Sequence, residues 1–144
     1  MKIWRISNHA DLSGIGGKFS EGRWNHLGTE IVYCSDHPST CMLEMLVRFD
    51  PKTTPERYQM LEIQMPKNLQ VWEPKLKDNW QKQPKYTRDI WSEFCATEKA
   101  LLMKVPSVIL RQANNYLLNP RHIDHGQITI EKVHTQFLDK RFYG

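Results

Sequence analysis

Gly22-Arg23-Trp24-Asn25, Tyr33 and Glu44 set an arginine, a tyrosine and a carboxylate at near-even spacing, each beside chain that reads as buried. Charged groups on buried surface are costly unless they are paired or used. An arginine fork matches phosphate oxygens two at a time. A carboxylate stabilises a developing cation, and a tyrosine offers a flat face with one hydroxyl. Together these types suit a site that holds a phosphorylated nucleotide and stabilises positive charge on its sugar ring. Plainer roles stay open for each. Glu44 lies in Cys41-Met42-Leu43-Glu44-Met45-Leu46-Val47 and could pair with Arg48 one helical turn on. Tyr33 could be a core tyrosine with a backbone partner, and Arg23 could stack on Trp24 or pair with Glu21 or Glu30.

Other chemistries fit the chain less well. Gly14-Ile15-Gly16-Gly17-Lys18 lacks the glycine-to-lysine spacing and following hydroxyl of a phosphate loop, and no dinucleotide fingerprint occurs. It reads as a mobile glycine loop. His122 and His125, with Asp124 between them, have no further ligand at metal-site spacing and read as surface histidines. No serine has a nucleophile-elbow context, and Cys34 and Cys41 lack an activating partner. Lys75, Lys77, Lys82, Lys85 and Arg88, interleaved with Trp72, Trp80 and Tyr86, could track a nucleic-acid backbone and stack on bases. Glu73, Asp78 and Asp89 break that charge, so a solvated loop or a surface for a protein partner is the better reading.

The elements that must position these residues alternate. Lys2–Ile6 alternates apolar and polar and predicts a strand. Glu30–Cys34 is β-branched and aromatic and predicts another. Asp36-His37-Pro38 supplies a capping carboxylate and an early proline for a helix over about Ser39 to Phe49. Tyr58–Gln64 and Leu69–Trp72 predict two strands joined by a turn, and Pro74–Lys85 an exposed basic loop. Thr87–Lys104 carries the longest helical pattern. Ser107–Leu110 reads as a short buried strand, Asn114–Arg121 as turn chemistry, and Gln127–Val133 as a last strand. With 40% hydrophobic and 25% charged residues, the 144-residue chain is a globular α+β domain over 1–144, not a disordered one. The net charge of +4 favours anionic partners. No apolar run approaches the ~18–20 residues of a membrane span, no leader is visible, and three cysteines without motif spacing fit a reducing cytoplasm.

The order Trp4-Arg5-Ile6, Gly22-Arg23-Trp24-Asn25, Val32-Tyr33, Leu43-Glu44, Val105-Pro106-Ser107 and Asn115-Tyr116-Leu117-Leu118-Asn119-Pro120 resembles the RES domain family almost end to end. The arginine, glutamate and serine that name the family map onto Arg23, Glu44 and Ser107. The resemblance implies a mixed sheet with flanking helices, similar to ADP-ribosyltransferase toxins. It implies a toxin of a toxin–antitoxin pair that cleaves the nicotinamide–ribose bond of NAD, by hydrolysis or phosphorolysis, with protein ADP-ribosylation as the alternative. Arg23, Tyr33 and Glu44 would be catalytic, and Arg5, Trp24, Asn25, Ser107 and Asn119 would bind substrate. NAD would be consumed, together with inorganic phosphate if the reaction is phosphorolysis, with no metal and no resident cofactor. A cognate Xre-type antitoxin, homo- or hetero-oligomers and a cytoplasmic location are implied as well, without membrane or nucleic-acid binding. One departure is Arg111-Gln112-Ala113, where an acidic residue is expected before Asn115.

Overall fold

The computed structural model describes residues 1–144. Seven strands form one sheet: β1 (Lys2–Ile6), β2 (Val32–Ser35), β3 (Arg57–Gln64), β4 (Val71–Trp72), β5 (Leu102–Pro106), β6 (Asn114–Leu118) and β7 (Thr129–Phe137). Their order is β4-β5-β6-β2-β1-β3-β7. Only β4 and β5 run parallel, so the sheet is mixed. Two helices accompany it, α1 (Pro38–Leu46) and α2 (Pro84–Thr97). The expected α+β class with a mixed sheet and flanking helices is what the chain adopts.

Side-chain alternation along the strands divides the core in two. Ile3, Val32, Leu61, Ile63, Leu102 and Leu118 fill one side. Met103, Val105 and Leu117 point to the other, where Trp91 and Phe94 of α2 cover them together with Trp24 and Trp80. Neighbouring residues of β5 and β6 are thus buried on opposite faces, as in strands enclosed from both sides.

Several local expectations change. The helix over Thr87–Lys104 stops at Thr97, because Glu98 turns left-handed at φ 49°, and Leu102–Pro106 enters the sheet instead. A short continuous apolar run fits a buried strand as well as a helix, so periodicity does not separate them. Ser107–Leu110 bends out of the sheet, whereas Asn114–Leu118, read as a turn, is a central strand between β2 and β5. Tyr58–Gln64 and Leu69–Trp72 are not a hairpin: β3 and β4 lie towards opposite ends of the sheet. The exposed loop predicted over Pro74–Lys85 contains a 3₁₀ turn and, from Pro84, the start of α2. His37 caps α1 by accepting the Ser39 N–H. Asp36 instead accepts from the Thr40 hydroxyl (2.8 Å) and the Asn114 N–H (2.9 Å), tying the start of α1 to β6.

Burial pushes the thiols of Cys34 and Cys95 up to about 12 and that of Cys41 to about 11, from an ordinary 9.0. In the unfolded chain these thiols ionise first. Their contribution to stability is complete below about pH 9 and is lost as the pH climbs through 11 to 12. The midpoint of urea unfolding is therefore expected to fall steadily over that alkaline window, and a flat midpoint there would contradict it.

Candidate active site

β1 and β2 touch through a single pair, Trp4 with Ser35. Beyond it they part, and a cleft of about 670 Å³ lined by residues of both strands opens. Arg5 comes from β1, Tyr33 and Ser35 from β2, Glu44 and Arg48 from α1 and the turn that ends it, and Asn115 from β6, while Gly22–Asn25 form a further wall. Arg5 bridges the gap, its Nη1 donating to the Tyr33 carbonyl at 3.0 Å. The Arg5 Nε is buried and has no protein partner.

Asn25 organises the arginine loop. It is 1% exposed. Its Oδ1 accepts from the Gly22 N–H at 2.9 Å and the Tyr33 hydroxyl at 2.6 Å. Its Nδ2 faces the carbonyls of Ser20 (3.0 Å), His26 (3.2 Å), Gly17 (3.4 Å) and Thr29 (3.4 Å). Gly22 must be glycine, since a Cβ there would lie 2.5 Å from the Tyr33 hydroxyl oxygen. The rest of the loop is fastened from α2 and the turn before it. Arg23 Nη1 donates to the Gln81 carbonyl (2.7 Å), Thr87 Oγ1 to the Arg23 carbonyl (2.6 Å) and Arg88 Nε to the Gly22 carbonyl (2.7 Å). Trp24 is buried against Trp80, with ring centres 5.7 Å apart.

Tyr33 accepts the Trp24 N–H at 3.1 Å and gives its own proton to Asn25. Burial pushes its phenol up to about 12 against the opposing pull of that N–H. At neutral pH the phenol is uncharged. Glu44 does not pair with Arg48. Its Oε1 accepts from Ser107 Oγ and from Asn115 Nδ2, both at 2.8 Å. Asn115 is itself oriented by Ser35, whose hydroxyl donates to Asn115 Oδ1 at 2.8 Å.

Most of the residues singled out in the sequence converge here: Arg5, Arg23, Trp24, Asn25, Tyr33 and Glu44 all line the cleft. Ser107 stands behind it, 0% exposed, its hydroxyl proton given to Glu44 and its oxygen accepting the Ile109 and Leu110 N–H groups. Its hydroxyl is turned to the carboxylate and away from the open cleft. Asn119 is also apart from the cleft; it is buried and its Oδ1 accepts the Arg121 N–H at 3.0 Å. It follows Asn115 by four residues, about 13 Å along an extended strand. Asn115, Ser35 and Arg48 also line the cleft, and the sequence reading gave none of them a part in a site. Asn115 stood inside a recognised block, but Asn-Asn before Tyr116 reads as a turn.

The basic segment loses its aromatic faces to the fold. Trp80 is buried, Trp72 stacks on Phe94 with Lys99 over its ring, Tyr86 lies under Lys77, and Arg88 holds the Gly22 carbonyl. His125 Nε2 lies 2.8 Å from the Leu12 carbonyl and His122 accepts the Asp124 N–H. No three His, Cys, Asp or Glu side chains gather in a group that could hold a metal ion.

The model of the RES domain matches residues 2–139. The chain is 42% identical over 125 residues to Toxin Res of Pseudomonas putida, spanning 85% of this chain and 86% of that one. It is 32% identical over 152 aligned residues to the Prs ADP-ribosylating toxin of Sphingobium sp., spanning 96% and 94%. Toxin Res of Yersinia enterocolitica is 34% identical over 130 residues, spanning 85% and 86%. Among solved structures, the M. tuberculosis MbcT–MbcA toxin–antitoxin complex contains a similar fold, with a TM-score of 0.69 at 19% identity over 99% of this chain and 86% of that one.

Proposed function

This chain belongs to the RES domain family, and from that premise we propose that it is the toxin of a toxin–antitoxin pair and destroys NAD. The bond broken is the one between nicotinamide and ribose. One observation carries this reading: a single cleft brings together three arginines, a neutral tyrosine ring and a carboxylate held by one oxygen only.

Nicotinamide is bound to ribose through a cationic ring nitrogen. When the bond breaks, both electrons go to that nitrogen and neutral nicotinamide leaves, so no strong general acid is required. The ribose is left as an oxocarbenium-like cation, as in glycoside cleavage. Glu44 stabilises it electrostatically at the cleft wall. A water or phosphate oxygen then attacks the sugar carbon and releases its proton to solvent. Arg23 and Arg5 suit the pyrophosphate. Tyr33 offers its face to nicotinamide or ribose. Trp24, Asn25 and Ser107 build the site from behind. NAD enters as substrate, and the scheme uses no resident cofactor.

The name of the Sphingobium relative favours a second reading, in which the same cation is captured by a protein side chain. The neighbouring complex supports a protein antitoxin as partner, which we take to be of the Xre type. No helix is long and apolar enough to cross a membrane. A protein that consumes NAD would act in the cytoplasm, where the nucleotide is.

The test is to incubate the purified chain with NAD, with and without inorganic phosphate, and follow nicotinamide. ADP-ribose as co-product marks hydrolysis, its 1″-phosphate marks phosphorolysis, and label on protein marks transfer. Unchanged NAD in both incubations would overturn the reading. Arg23→Lys keeps the charge but not the planar fork, so KM for NAD should rise about tenfold, the loss of one charge-assisted hydrogen bond. Unchanged KM and kcat would move Arg23 to a purely structural role.

A further inference from the structure

Every protein hydrogen bond to Glu44 ends on the same oxygen. Ser107 Oγ and Asn115 Nδ2 both reach Oε1 at 2.8 Å, and Oε2 has no protein partner. Nor is the amide that holds it free to turn. Ser35 donates to Asn115 Oδ1 at 2.8 Å, which commits the other end of the amide, the Nδ2, to the carboxylate. Ser35 and Asn115 face each other directly across the β2–β6 ladder, and Ser35 also makes the last β1–β2 pair before those strands part. The chain of contacts thus runs from the sheet, at the point where the cleft opens, to a helix residue on the cleft wall.

We propose that Asn115, oriented by Ser35, is a positioning residue that aims the free oxygen of Glu44 at the reacting sugar. The inference rests on the NAD-cleaving reading of the cleft. Ser107 alone would fix the distance of Oε1 but leave the carboxyl plane free to rotate about that one contact. A second donor from a different strand fixes the plane. Displacing a reacting group by an ångström costs on the order of 10²-fold in rate, without a matching loss of substrate binding.

Nicotinamide release is measured for the wild type, Glu44→Gln, Asn115→Ala, Ser35→Ala and the Asn115→Ala/Glu44→Gln pair, with thermal melting as a check on folding. Asn115→Ala is expected to lower kcat about 30-fold, with KM within about twofold. Ser35→Ala is expected to produce a smaller loss of the same kind. In the Glu44→Gln background the Asn115 change should cost nothing further, because its only route to the chemistry has been removed. Additive losses in the double variant, or full kcat in a folded Asn115→Ala protein, would overturn the inference.

Asn115→Asp supplies a readout that loss of fold cannot imitate. Protonated, the introduced carboxyl can donate to Oε1 as the amide does. Ionised, it places a second negative charge against Glu44, and two carboxylates this close do not both ionise freely. The charged and titratable groups facing the pair are Arg5 on β1, Cys41 on α1, Arg48 just after it and Asp36 ahead of it. The variant should be most active where the pair holds one proton and lose kcat as the pH rises above that state, on a limb the wild type lacks. A wild-type pH profile in Asn115→Asp would count against the inference. Absence of nicotinamide release by the wild-type protein would instead remove the underlying reading of the cleft, so the two failures are distinct.

Discussion

Glu44→Gln should slow nicotinamide release by about 10²-fold or more while the protein keeps its fold. The amide oxygen of glutamine can still accept from Ser107 and Asn115, so the two 2.8 Å contacts that seat the side chain have a substitute. What disappears is the negative charge beside a sugar that becomes cationic as nicotinamide leaves. KM should change little, since the pyrophosphate is held elsewhere. Near-normal turnover by a folded Glu44→Gln protein would remove Glu44 from the chemistry.

Asn25→Ala should produce the largest loss of stability of any single change at the cleft. It leaves the Tyr33 hydroxyl without its acceptor and the Ser20 and Thr29 carbonyls without the Nδ2 donor, whereas the Gly17 and His26 carbonyls keep the backbone N–H groups of Gly28 and Thr29. Buried polar groups stranded in this way cost about 1–3 kcal/mol each, and relaxation or water entry reduces the sum, so a loss of about 3 kcal/mol is expected. For a chain of this size that lowers the melting temperature by about 10 °C. Catalysis should fall as well, because Gly22-Arg23 and Tyr33 lose their common anchor. Asn25→Asp is no rescue: a carboxylate oxygen would face those four carbonyls in place of an N–H donor. A melting temperature within about 2 °C of wild type for Asn25→Ala would show that water replaces the side chain without penalty.

The parts of the fold legible in the sequence are those where local signal and burial agree. β1 and β2 alternate or carry β-branched residues, and α1 begins with a proline in its first turn. The failures cluster where one apolar run serves two periods. Leu101-Leu102-Met103 continues the apolar character of α2 but leads into the sheet, and only the left-handed Glu98 marks the break. Asn114-Asn115 looks like a turn because asparagine so often bonds its own backbone, yet here the Asn115 amide is used across the sheet. The site followed the same rule. Arg23, Tyr33 and Glu44 stood out as charged or polar groups in apolar surroundings. That the Ser107 hydroxyl donates to Glu44 was not legible, because the carboxylate lies 63 residues earlier in the chain.

That separation bears on how the protein comes into being. Arg23 is held by the carbonyl of a residue 58 positions later, and Glu44 by side chains 63 and 71 positions later. β6, which carries Asn115, slots between two strands made before it, β2 and β5. Contacts of such long sequence separation form only once the intervening chain has been made and its loops closed. A ribosome that has delivered the arginine, the tyrosine and the glutamate has not yet delivered what holds them in place. The site can therefore close only after most of the chain has been made and the sixth strand has paired with β2 and β5.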